Sequence, residues 1–88
     1  MEYIVYILQS EKDGSYYTGI TTDLRLRIKS HNDGTSTYSS SKKPFILVWH
    51  CSFPDKKLAT HFERYLKSGS GIAFRNKRLI NYNSHLKK

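Results

Sequence analysis

The apolar residues of this chain fall into separate runs whose periods predict an alternation of strands and helices. Residues 2–9 (EYIVYILQ) are apolar or aromatic at both parities, with Tyr3, Val5 and Ile7 on one face and Ile4, Tyr6 and Leu8 on the other. A strand that is apolar on both faces needs cover on both, which predicts the central strand of a sheet. Lys12-Asp13-Gly14-Ser15 is a turn signal and Tyr16 to Thr21 a second β-prone run, so the pair reads as a hairpin. Thr21-Thr22-Asp23 then supplies N-cap chemistry for a helix with Leu24, Ile28 and His31 at i, i+4 and i+7. Asn32-Asp33-Gly34 is its stop. Residues 34–43, rich in Gly, Ser, Thr and Lys, predict an exposed basic loop, and Pro44 to Cys51 (PFILVWHC) a third strand. Pro54-Asp55 opens a second helix, with the proline near its first position, an acid in its first turn and an apolar stripe of Leu58, Phe62, Tyr65 and Leu66. Gly69 and Gly71 break it. A last helical segment carries Ile72, Leu79 and Ile80 on one side, with Arg75, Lys77 and Arg78 around them. The order is β-β-α-β-α-α, an α+β arrangement. The 88 residues hold one domain, drawn at 1–83, with 84–88 as a basic tail.

Charge narrows the partner. Fifteen Lys+Arg against seven Asp+Glu give +8, and the pI is near 9.8. That balance favours a polyanion, nucleic acid before an anionic membrane surface. No run of 18 apolar residues exists, so no membrane span is expected, and Met1-Glu2-Tyr3 does not open a signal peptide. The single cysteine, Cys51, rules out an intrachain disulfide and suits a reducing, cytoplasmic setting. One Cys with His31, His50, His61 and His85 scattered along the chain argues against structural zinc. Neither the G-x-x-x-x-G-K-[ST] nor the G-x-G-x-x-G phosphate loop occurs.

Three sets of residues could carry chemistry. Tyr3, Tyr6, Tyr16 and Tyr17 crowd the first two strands, where tyrosines commonly just cap a core. The hairpin nevertheless brings some side by side, and a phenol cluster beside cations could orient or deprotonate a water. Arg27 and His31 share a helix face, either as a solvated residue and a dipole cap, or as a phosphate clamp and a proton handler. Glu63 sits among Phe62, Tyr65 and Leu66. It is either an ion-pair partner of Lys67 or Arg64, or a ligand for Mg²⁺, which needs only one or two carboxylates beside water and phosphate oxygens.

In this order the pieces resemble the GIY-YIG nuclease domain. Val5-Tyr6-Ile7 resembles its first strand motif and Tyr17-Thr18-Gly19 its second. The run Thr21-x-Asp23-Leu24-x-x-Arg27-x-x-x-His31-Asn32-x-Gly34 follows, then Lys43-Pro44-x-x-Leu47-Val48 and Ala59-x-x-x-Glu63-x-x-x-Lys67. The likeness covers nearly the whole chain and is greatest to the short stand-alone bacterial members, whose Lys67-Ser68-Gly69-x-Gly71 run is also similar. It implies a three-stranded antiparallel sheet flanked by helices and a metal-dependent endonuclease acting on nucleic acid, DNA first. Tyr6 and Tyr17 would flank the scissile phosphate, one helping to activate water. Arg27 would stabilise the phosphoryl transition state, His31 bind or relay a proton, and Glu63 hold Mg²⁺ or Mn²⁺. Lys42, Lys43, Arg75, Lys77 and Arg78 are the expected backbone-holding cations. The chain departs from the family at Ile4 and Thr18, and at Ile20 where some members carry lysine; Asn76 and Asn81 are candidates for a late asparagine. The alternatives are a non-catalytic nucleic-acid-binding module on the same fold, and a basic structural or interaction domain.

Overall fold

Both faces of the first run are covered, and its strand is the central one. In the computed structural model, which describes residues 1–33 and 41–80, β1 (Tyr3–Ser10) lies between β2 (Tyr16–Thr21) and β3 (Phe45–Phe53). Both pairings are antiparallel. The helices are α1 (Leu24–Asn32), α2 (Lys56–Leu66) and α3 (Gly69–Phe74), and a π-helical stretch runs from Arg75 to Ile80. The order is the expected β-β-α-β-α-α. Among the described residues no helix is long and apolar enough to cross a membrane. The loop expected over 34–43 is described only from residue 41. Asn81 and the tail at 84–88 lie outside the described residues.

The sheet separates two cores, as the alternation along β1 requires. On one side Val5 and Ile7 pack with Ala59 and Leu66 of α2 and with Ile80. On the other, Tyr6 and Leu8 pack with Phe45, under Leu24 and Ile28 of α1. Cross-strand register then fixes the neighbours. Tyr6 stands opposite Gly19 and Leu8 opposite Tyr17, so Tyr6 and Tyr17 occupy the α1 face together, one diagonal step apart.

Ser10, fully buried, organises the hairpin turn. Its hydroxyl accepts from the Lys12 and Asp13 amides and donates to the Lys42 carbonyl at 2.6 Å. Gly14, with φ at +78°, makes the reversal, a backbone conformation that L side chains disfavour. Asn32 performs the matching task at the far end of α1. Its carboxamide accepts from the Phe45 N–H at 2.5 Å and donates to the Phe45 carbonyl at 3.1 Å, pinning the start of β3 to the helix.

The structure corrects several expectations about the second half. Pro54 lies before α2, and Asp55 is its N-cap rather than a first-turn acid, accepting from the Lys57 amide. The helix turns Ala59, Phe62, Glu63 and Leu66 inward and leaves Leu58 54% and Tyr65 40% exposed, so the stripe is rotated from the one hydrophobicity predicts. The small Ala59 sits fully buried, where the helix packs on the sheet. The glycines do not end α2, whose C-cap is Lys67. They form the first turn of α3, capped by Ser68, whose hydroxyl accepts from the Gly71 amide. A Cβ on Gly71 would fall 1.6 Å from the Tyr65 carbonyl oxygen, so only glycine permits this crossing. Ile72 stays 38% exposed, whereas Ile80 is buried. β3 runs on to Phe53, two residues beyond its expected end.

Candidate active site

Four of the predicted residues meet on the α1 face of the sheet. The Tyr6 phenol is wholly buried, and its oxygen accepts from Arg27 Nε at 3.3 Å. The same oxygen lies 3.3 Å from His31 Nε2. Tyr17 closes the group, with its ring centroid 4.7 Å from that of His31 and 6.2 Å from that of Tyr6. It also interacts with the Tyr6 hydroxyl and the Arg27 guanidinium. Spacing explains the meeting: Arg27 and His31 are one turn apart on α1, and the hairpin register delivers the tyrosines beneath them.

Gly19 makes room for the phenol. A Cβ at Gly19 would lie 2.4 Å from Tyr6 Oη and 2.6 Å from Cζ. Any side chain there pushes the hydroxyl away from Arg27 and His31, which is a physical reason for the glycine of the second motif.

The electrostatics of the cluster are mutually consistent. Burial is the largest influence on Tyr6 and, despite the pull of Arg27, raises its pKa above the usual 10.0. Tyr6 is therefore a neutral phenol at pH 7. Burial, and then the charge of Arg27, lower the pKa of His31 below 6.5, so the imidazole is neutral too. The hydrogen bond to Tyr6 raises the Arg27 pKa further and keeps it cationic. Arg27 Nε can only donate, so its proton uses a lone pair of the phenol. With His31 protonated at Nδ1, the Tyr6 O–H then points at Nε2, and the order Arg27, Tyr6, His31 is a donor chain running one way.

The fifth predicted residue, Glu63, is not brought together with the four: no contact among the described residues links it to them. It projects from α2, on the opposite face of the sheet, and its side chain is only 13% exposed. The other six acids, Glu2, Glu11, Asp13, Asp23, Asp33 and Asp55, are all on the exposed surface. Its Oε2 is 2.5 Å from Lys67 Nζ, the ion pair that the spacing allows. Lys67 in turn lines an open cleft of about 500 Å³ with Tyr16, Tyr17, Thr18, Leu66, Ile72 and Arg75. The cleft exists because β2 is an edge strand. Tyr17 reaches it from the α1 face and Tyr16 and Thr18 from the α2 face, and the end of α2 passes alongside.

The cations expected to hold a backbone are placed unevenly. Arg75 stands over the Tyr16 ring at 4.8 Å and donates from Nε to Asn76 Oδ1. Lys42 reaches the hairpin turn, 3.6 Å from Asp13 and 3.5 Å from Ser15 Oγ. Arg75 thus lines the cleft, whereas Lys42 sits at the hairpin turn that precedes β2. Lys43, Lys77 and Arg78 are exposed. Sequence reasoning passed over two residues that the geometry makes important. Asn32 reads as a helix stop and as a position of the family-like run, with no task of its own, although a carboxamide one residue after His31 can pair both backbone groups of an incoming strand. Lys67 reads as the partner of Glu63 and as a position of the family-like runs, and its place in the cleft depends on how α2 packs.

Comparison with known proteins identifies the family of the chain. Residues 2–78 match the GIY-YIG catalytic domain. The chain is similar to UPF0213 protein BH0048 of Halalkalibacterium halodurans, 46% identical over 68 residues that span 76% of this chain and 71% of that protein. It is also similar to UPF0213 protein YazA of Bacillus subtilis, 42% identical over 57 residues, 64% of this chain and 58% of that one. The solution NMR structure of the UPF0213 protein BH0048 covers 76% of this chain and 71% of its own at 44% identity, with a TM-score of 0.49. With the matched span running through Tyr6, Tyr17, Arg27, His31 and Glu63, the chain belongs to the GIY-YIG domain family, and small bacterial UPF0213 proteins are its relatives.

Proposed function

We propose that this protein is an endonuclease that hydrolyses phosphodiester bonds in nucleic acid, DNA before RNA, with the help of a divalent cation, Mg²⁺ or Mn²⁺. The observation that carries the reading is the hydrogen-bonded chain from the exposed Arg27 through the buried Tyr6 to the buried His31, with Tyr17 beside it. Buried polar groups are costly to arrange, and this set has the parts that phosphoryl transfer needs. Arg27 has five N–H donors, more than the two phenols take, so it can bind phosphate oxygens and oppose the charge that grows on them. Tyr17, half-buried and lining the cleft, is the phenol that could orient an attacking water, while the fully buried Tyr6, backed by the neutral imidazole of His31, would hold Arg27 in position.

The residues present fit a single cation of the Mg²⁺ type. Among the described residues no group of three His, Cys, Asp or Glu could cage a metal. Mg²⁺ does not require one, because it keeps several waters and takes oxygens from substrate phosphate. Glu63, the one acid drawn off the exposed surface, is the carboxylate that would hold it. When bound, such a cation polarises the phosphoryl group and neutralises the departing oxygen. Arg75, Lys77, Arg78, Lys42 and Lys43 would track the backbone, and the single Cys51 fits a reducing, cytoplasmic setting.

One observation favours the alternative, a non-catalytic nucleic-acid-binding module: the Glu63 carboxylate already has an ammonium for a partner. A digestion panel separates the two readings. Single-stranded, duplex and branched DNA and RNA are incubated with the protein in Mg²⁺, in Mn²⁺ and in EDTA. Cleavage of at least one DNA substrate, with metal only, is expected. Binding without cleavage across the whole panel would select the module.

A further inference from the structure

Glu63 and Lys67 are unequal partners. The carboxylate is held on the inward face of α2 with 13% of its side chain exposed, whereas the lysine side chain is 52% exposed. Lys67 is anchored by its backbone as the α2 C-cap, where its amide donates to the Arg64 and Tyr65 carbonyls, but its four-carbon stem is free to swing. The residue lines the cleft together with Tyr17 and Arg75. A largely buried carboxylate without a counter-charge destabilises a fold. The pair thus consists of a fixed anion and a movable cation at the mouth of the proposed site.

We infer that Lys67 is an exchangeable counter-ion: it neutralises Glu63 in the free protein, yields the carboxylate to a divalent cation, and then takes a phosphate oxygen of the nucleic acid in the cleft. The inference rests on the metal-dependent reading above. Two consequences follow. Lys67 competes with the metal when nucleic acid is absent, and it adds a phosphate contact only when metal is present. This coupling ties metal loading to substrate binding, with one side chain as the exchanged part.

The test uses the full chain, with Lys67→Met, Lys67→Arg and Glu63→Gln beside the parent. Mn²⁺ is titrated into the nucleic-acid-free protein and followed by paramagnetic broadening of the amide signals of residues 59–66. Lys67→Met should bind Mn²⁺ about two- to fivefold more tightly than the parent, the size of effect expected for a solvent-facing ion pair. Lys67→Arg, which keeps the charge, should match the parent. Duplex binding is then measured against salt in Ca²⁺ and in EDTA. The log–log slope of Lys67→Met should be shallower than the parent's by about one in Ca²⁺ and equal to it in EDTA. Unchanged or weaker Mn²⁺ affinity in Lys67→Met, or equal slopes in Ca²⁺, would overturn the exchange and leave the metal reading standing. A parent that binds no Mn²⁺, or a Glu63→Gln variant that binds it as tightly, would remove the metal reading and this inference together.

Discussion

A phenol enclosed between an arginine and a histidine has few proton arrangements open to it. Tyr6 receives the Arg27 proton and holds its own toward His31, and the neutral state of both acceptor and donor follows from burial. Tyr6→Phe keeps the buried ring and deletes the oxygen. We expect a stability loss of about 1–2 kcal/mol in urea unfolding, and a fall of at least about 100-fold in single-turnover cleavage. The same groups set the pH response. His31 has a folded pKa below its ordinary 6.5, so its contribution is complete above 6.5 and is lost as pH falls through the folded value. Tyr6 has a folded pKa above 10.0, so its contribution is complete below 10.0 and is lost as pH rises through the folded value. Asp13, drawn from 3.8 to about 2 chiefly by its hydrogen bonds to Ser15, adds stability above 3.8 that disappears toward pH 2. Chemical unfolding at a series of pH values checks this, and His31→Asn should flatten the slope just below pH 6.5.

At the scale of elements, two contacts hold the site-bearing parts together. Asn32 fastens the end of α1 to β3, and Gly71 lets α3 cross the end of α2. Asn32→Ala should cost about 1–3 kcal/mol, because it leaves the Phe45 N–H and carbonyl without their side-chain partner. It should also slow cleavage by loosening the helix that carries Arg27 and His31, whereas an exposed control such as Lys56→Ala should do neither. These elements also show what the sequence could and could not reveal. β1 was legible because it is apolar at both parities, and α1 because its cap and stripe agree. That Arg27 and His31 share a face was legible from a one-turn helical spacing, whereas Tyr6 and Tyr17 stood out from the other strand tyrosines only through the resemblance to the family's two strand motifs. The facing of α2 was not. Leu58 is more hydrophobic than Ala59, yet the buried position goes to the smaller side chain, and only the packing reveals that Glu63 points inward. The two glycines misled for a related reason: a glycine that ends one helix and a glycine that admits the next look the same in sequence.

The whole molecule combines a surplus of eight positive charges with a single inward acid. Charge draws in a polyanion, but on its own it would serve a binding module as well as an enzyme. Lys77 and Arg78 are exposed on the π-helical stretch and are proposed to serve the attraction rather than the chemistry. The double variant Lys77→Ala/Arg78→Ala should reduce the salt slope of DNA binding by about two and change stability by less than about 0.5 kcal/mol, as read by fluorescence anisotropy and urea unfolding. The proposed chemistry rests instead on Arg27 and Glu63, and there binding and cleavage should part company. The most direct measurement is single-turnover cleavage of DNA in Mg²⁺ by the parent and by Glu63→Gln and Arg27→Met, with affinity measured in parallel. The account predicts metal-dependent cleavage by the parent, loss of about 100-fold or more in each variant, and DNA affinity kept largely intact. Cleavage by Glu63→Gln at the parent's rate, or a pure parent that cuts nothing in Mg²⁺ or Mn²⁺, would contradict it.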